Sequence, residues 1–141
     1  MFNYHHHSTM KRWIETLVAH SDHLITGALL TLAVQDMLLL LALCAQIEPH
    51  PPQAVGPFIG TLLALCLRVA WGLRRPTRWT HAFALVVALA HLPNFGPHKF
   101  FLAQAPLIAP MAALGLALLA QAAVLAALRL WHANAPQGDR E

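Results

Sequence analysis

Four side chains in this sequence are polar where their neighbours are not. Asp36 sits in "TLAVQDMLLLLAL", residues 31–43, next to the amide of Gln35. His91 closes "ALVVALAH", Gln121 interrupts "LALLAQAAVLAAL", and Arg68 follows "LLALCL". A carboxylate accepts protons, and an imidazole changes charge nearest neutral pH. On apolar helices such groups pair across helices. They also build proton or ion relays, or make polar contacts to the edge of a quinone or haem. Pairing between helices is the preferred reading.

Two further groups carry possible chemistry. Glu48, His50 and His98, with His91 nearby in sequence, would lie on one side of a membrane. Imidazole and carboxylate suit zinc, copper or nickel, so His50 and His98 are the metal candidates. Their spacing matches no metal motif, and ordinary loop histidines are the simpler reading. His20, Asp22, His23, His81 and His132 would lie on the other side. "AHSDH" reads as a helix start with Ser21 or Asp22 as N-cap, or as a place for His23 to serve as an axial ligand. Cys44 and Cys66 fall in apolar runs without a Cys-x-x-Cys pair. Inert apolar thiols are expected there, not a disulfide or a thiolate metal site. Phosphate loops, nucleophile elbows and His-Glu-x-x-His motifs are absent, so catalysis is not expected.

The elements that must position these residues follow from composition. The chain is 57% apolar and only 11% charged, against about 25% charged in soluble domains. Its charges cluster at residues 11–22, 74–78 and 139–141. A membrane span needs about 20 mostly apolar residues. Four segments qualify as expected spans: about 24–47, 54–73, 79–95 and 107–131. The breakers "EPHPPQ", "RRPTR" and "PNFGPHK" separate them. Helices are expected because lipid offers no water to unpaired backbone groups. The fold class expected is therefore all-α, a polytopic bundle of four transmembrane helices.

Orientation follows from Lys and Arg. Lys11 and Arg12 precede the first span, Arg74, Arg75 and Arg78 separate the second and third, and Arg129 and Arg140 flank the end of the fourth. The other two connections hold only Lys99. Both termini are thus expected to be cytoplasmic, with Trp13, Trp71, Trp79 and Trp131 at that interface. The first run is too long for a cleaved signal peptide. Residues 1–22 read as a cytoplasmic segment, with 1–10 set aside as extraneous to the fold. Residues 133–141 read as a cytoplasmic tail. No basic stripe interleaved with aromatics points to nucleic acid.

Depth can be counted at about 1.5 Å per helical residue. Asp36 and His91 both fall roughly 18 Å from the inner edge, Gln121 roughly 15 Å, and Arg68 roughly 8 Å. Asp36 is therefore expected to face the bundle interior, hydrogen-bonded to His91, Gln121 or Arg68.

"IGTLLALCLRVAWGLRRP" resembles the second helix of bacterial cytochrome b561 proteins, through Ile59, Gly60, Arg68, Trp71, Arg74, Arg75 and Pro76. "THAFALVVALAHLP" is similar to that family's third helix, with His81 at its histidine, and "LLAQAAVLAALRLWH" to its fourth. Over a shorter stretch, "VGPFIGTLLAL" is also similar to holin-like proteins. The cytochrome resemblance implies a four-helix scaffold of the bacterial inner membrane and a role in membrane electron transfer. It implies haem b held by axial histidines. His23 matches one such position, whereas Gly56, Leu107 and Gln121 stand at the other three. His81 is the remaining haem candidate.

Three functions are open on this reading. The first is a b561-like subunit or anchor with most haem ligation lost, supporting a redox partner. The second is a small transporter or channel component using Asp36, His91 and Gln121, through self-association. The third is a structural or assembly protein of the lipid bilayer.

Overall fold

The computed structural model describes residues 4–47, 51–95 and 108–134, with side chains from Arg12 onward. His50, His98 and position 107 lie outside the described residues. Every regular element among the described residues is helical. Helix α1 spans Tyr4–Ala45, α2 Gly56–Gly72, α3 Arg78–Ala90 and α4 Ile108–Asn134. Short 3₁₀ turns at Gln53–Val55 and Leu92–Phe95 precede α2 and follow α3.

Local chemistry explains the boundaries. At the end of α1, Gln46 adopts a left-handed φ of 53°. The Ile47 N–H then reaches back to the Ala42 carbonyl at 3.0 Å, which closes the helix. Pro57 stands in the first turn of α2, where its missing N–H is harmless. Pro76 precedes α3, which opens on a capping box. The Thr77 hydroxyl accepts from the Thr80 N–H, and the Thr77 N–H donates to the Thr80 hydroxyl at 2.8 Å. Pro93 lies just past α3, where the chain tightens into 3₁₀.

The four helices alternate in direction. Gly56 at the start of α2 faces Leu43 near the end of α1. Gly72 at the end of α2 meets Thr80 at the start of α3. On α4, Met111 and Gly115 meet Gln35, Gln121 meets Leu24, and Arg129 meets Asp22, so α4 runs against α1. Helices α1 and α3 lie across the bundle diagonal, with α2 and α4 between them. The core joins Ile25, Leu29 and Leu32 of α1 to Cys66 and Val69 of α2, Ala84 and Val87 of α3, and Leu125 and Ala126 of α4.

Small residues let α4 approach closely. Ala112, Gly115, Ala122 and Ala126 form a buried stripe with Leu119. Gly27 is exposed, and a Cβ added there would meet nothing within 4 Å. Helix α1 presents Ala28 to the core instead.

The exterior is apolar. Leu30, Val34, Leu38, Leu41, Phe83, Val86 and Val124 all point outward, as do the four tryptophans. Such a surface suits lipid rather than water. Among the described residues, three helices are long and apolar enough to cross a membrane: Arg12–Ala45, Gln53–Gly72 and Ile108–Asn134. With 13 residues, α3 is shorter. Its continuation through Leu92–Phe95 covers most of the expected third span of 79–95. The N-terminal side departs most from expectation. Helix α1 begins at Tyr4, inside the segment set aside as extraneous, and at 42 residues it is about 63 Å long. That is about twice the thickness of a bilayer core.

Candidate functional site: a buried carboxylate, imidazole and thiol

Asp36 is a helix-interior residue of α1 whose turn faces the bundle axis. His91 caps the C-terminal end of α3, and its backbone N–H bonds the Ala88 carbonyl. The two side chains meet across the bundle diagonal. His91 Nε2 lies 3.0 Å from Asp36 Oδ2. His91 is 0% exposed and Asp36 2%. The other ring nitrogen, Nδ1, donates to the Val87 carbonyl at 2.7 Å.

Both imidazole nitrogens therefore face oxygen acceptors. A neutral histidine has only one N–H. The pair must hold one further proton, as imidazolium and carboxylate or as imidazole and carboxylic acid. Either arrangement is neutral overall, which is what a low-dielectric interior requires of buried ionisable groups.

A third group joins them from α2. Cys66 is 0% exposed, and its Sγ lies 3.7 Å from His91 Nε2. The donor atoms of Asp36, Cys66 and His91 all fall within 4.8 Å of one another. Cys66, an inert apolar thiol by its sequence context alone, is brought to Asp36 and His91 by the fold. The signal was the register of α1 against α2. With Gly56 opposite Leu43, an antiparallel pairing brings Cys66 opposite Ala33, within one turn of Asp36.

The other polar residues singled out from sequence go elsewhere. Gln121 reaches the Leu24 carbonyl at 3.3 Å and does not meet Asp36. Arg68 is exposed on the outer face of α2. Counting depth alone cannot say which way a helix turns its side chain: Arg68 turns outward, and Gln121 reaches the α1 backbone lower down. Gln35 is buried beside Asp36. Its amide nitrogen lies 3.4 Å from the Met111 carbonyl, and its Oε1 is buried without a partner.

A second polar cluster lies about 21 Å further down α1. Asp22 Oδ1 is 2.7 Å from His81 Nε2 and accepts from Arg129 Nε at 3.3 Å, while Arg129 Nη2 donates to Oδ2. His81 Nδ1 contacts the Thr77 carbonyl at 2.8 Å. This repeats the arrangement of the first cluster, with a backbone carbonyl four residues back, a ring, and a carboxylate on α1. Asp22 and His81 are expected on one membrane side from sequence, and Arg129, expected there only as an orientation charge, joins them. Neither Ser21 nor Asp22 is an N-cap. The helix runs through both, and the Ser21 hydroxyl bonds the Val18 carbonyl at 2.7 Å.

The implied haem can be tested on the same geometry. A bis-histidine haem needs two free ring nitrogens facing each other across the porphyrin. His23 is exposed on the surface of α1, in a cleft with Trp71 and Arg74. His81 lines a different cleft, with Arg129 and His132, and turns its Nε2 to Asp22 rather than toward His23. These residues, as arranged, do not fit a bis-histidine haem.

No known protein family, curated protein or solved structure matches this chain.

Proposed function

We propose that this chain is a small multi-pass protein of the bacterial inner membrane that crosses the bilayer four times with both termini cytoplasmic. It serves there as a non-enzymatic transport component, passing a small cation through the Asp36–His91 centre. Four crossings are supported by length. Helix α3 with its 3₁₀ continuation rises about 28 Å, close to the roughly 30 Å of a bilayer core. Orientation rests on Lys and Arg at the ends that would face inward, and the bacterial membrane on the sequence resemblance to cytochrome b561.

The observation that carries the transport reading is the Asp36–His91 contact. Ionisable residues inside a membrane are costly and mark ion or proton pathways. Here a carboxylate and an imidazole share a proton on the bundle axis, at a depth where neither meets water. The test is flux. Protein reconstituted in vesicles should move protons or a small cation, and Asp36→Asn should reduce the rate at least tenfold. Equal flux in the two proteins, at the level of empty vesicles, would sink the reading.

A second reading is favoured by the alternating helix directions and by the Arg74-Arg75-Pro76 turn between α2 and α3. In that reading the chain is a b561-like subunit or anchor, without haem of its own, that holds a membrane redox partner. Purification in mild detergent discriminates. A stoichiometric partner would support the anchor, and a partner-free chain would count against it.

A further inference from the structure

We infer that Asp36, Cys66 and His91 form a binding site for a divalent transition metal ion of the zinc class. This inference rests on the cation-handling reading of the same centre and names the cation.

Geometry comes first. Three helices contribute one ligand each: a carboxylate from α1, a thiol from α2 and an imidazole from α3. Tetrahedral coordination at bond lengths of about 2.0–2.3 Å sets the spacing of donor atoms. It requires about 3.4 Å between nitrogen and oxygen and about 3.6 Å between nitrogen and sulfur. The distances here are 3.0 Å from His91 Nε2 to Asp36 Oδ2 and 3.7 Å from His91 Nε2 to Cys66 Sγ. The third edge, from Asp36 to Cys66 Sγ, lies within 4.8 Å against about 3.6 Å in a tetrahedral site, so seating the ion draws that pair together by up to about 1 Å.

The histidine is already oriented. Metal-ligating imidazoles commonly donate their other N–H to a backbone carbonyl or carboxylate, which fixes the tautomer. His91 does this through Nδ1 and the Val87 carbonyl, so Nε2 is the nitrogen turned toward Asp36 and Cys66.

Donor type and charge then select the ion. Magnesium and calcium demand six or more oxygen ligands, and this centre offers one carboxylate. Thiolate and imidazole favour zinc, cobalt and their neighbours. A dication bound by one carboxylate, one thiolate and a neutral imidazole has no net charge. The metal-free centre, with its shared proton and intact thiol, is neutral as well. Loading one dication therefore expels two protons, one from Cys66 Sγ and one from the Asp36–His91 contact, and leaves the bilayer interior uncharged. A monovalent ion in the same ligand set would leave a net negative charge there.

Among the described residues the cluster has three members. A tetrahedral ion would keep its fourth position open, unlike the closed four-ligand sites of structural zinc.

The test uses the full chain in detergent micelles with cobalt(II) as the probe. Cobalt should give a thiolate-to-metal charge-transfer band in the near ultraviolet that saturates at about one ion per chain and disappears when zinc is added. Cys66→Ser should abolish the band at unchanged helical content, and Cys44→Ser should leave it intact. Asp36→Asn and His91→Gln should each weaken binding tenfold or more. The thiolate band separates this centre from cobalt held by histidines alone. Wild-type protein without the band, or a band that survives Cys66→Ser, overturns the inference. Asp36-dependent flux of another cation without the band removes the metal and leaves the transport reading standing. The band without Asp36-dependent flux keeps the metal site and removes transport.

Discussion

Removing one partner of the Asp36–His91 pair should cost far more than removing both. In its imidazolium–carboxylate form, at 3.0 Å and an effective dielectric of about 20, the pair attracts by about 5.5 kcal/mol. Breaking a buried pair from one side costs about 3–5 kcal/mol, because the remaining group is buried and uncompensated. A neutral hydrogen bond between membrane helices contributes only about 1 kcal/mol. The magnitudes therefore separate an ionised pair from simple polar glue. His91→Leu is expected to cost about 4–5 kcal/mol, since Asp36 then keeps no partner. Asp36→Leu is expected to cost less, about 3 kcal/mol, because His91 still donates to the Val87 carbonyl and keeps Cys66 Sγ at 3.7 Å. The double variant Asp36→Leu with His91→Leu fills the space with apolar atoms and should fall within about 1–2 kcal/mol of wild type. The assay is equilibrium unfolding in mixed micelles titrated with a denaturing detergent, followed by helical circular dichroism. Singles that each cost about 1 kcal/mol or less, or a double equal to the sum of the singles, would refute the ionised pair.

Three other perturbations test the surrounding frame in the same assay. A methyl group at Gly115 would lie 2.2 Å from Phe95 Cε1 and 3.0 Å from Gln35 Oε1. Gly115→Ala should therefore cost about 1–3 kcal/mol, and a second change, Phe95→Leu, should recover much of it. Asp22→Ala leaves His81 and Arg129 without their shared acceptor and should cost about 2 kcal/mol. An equal loss in Arg129→Ala alone would show that the guanidinium, not the imidazole, dominates that clamp. Thr77→Ala removes the capping hydroxyl of α3 and should cost about 1 kcal/mol. No change there would mean that α3 is held by packing alone.

Much of the fold was legible because apolar run length and breaker residues act locally. The start of α3 is an example, since Pro76 and the Thr77–Thr80 box decide it within five residues. The start of α1 was not legible. Residues 4–22 are polar enough to read as a solvated segment, yet they continue a helix already nucleated by the apolar run, and propagation is cheaper than initiation. In the centre, the level placement of Asp36 and His91 could be counted from the chain, because rise per residue is nearly constant. Rotation could not be counted in that way. Whether Gln121 and Arg68 turn inward depends on which face each helix buries, and neighbouring helices decide that.

The sequence by itself therefore determined an all-helical chain with an apolar exterior, the positions of the breaks, and the height of each polar group along its helix. These properties depend on residue type and spacing along one chain. Only the tertiary structure decided that Cys66 joins Asp36 and His91, that Arg129 closes on Asp22, and that His23 and His81 stay apart from any shared ligand. Those outcomes depend on the register and rotation of four helices against one another. Packing sets both, through side chains far apart in sequence, and so the chemistry of the centre emerges only when three helices meet.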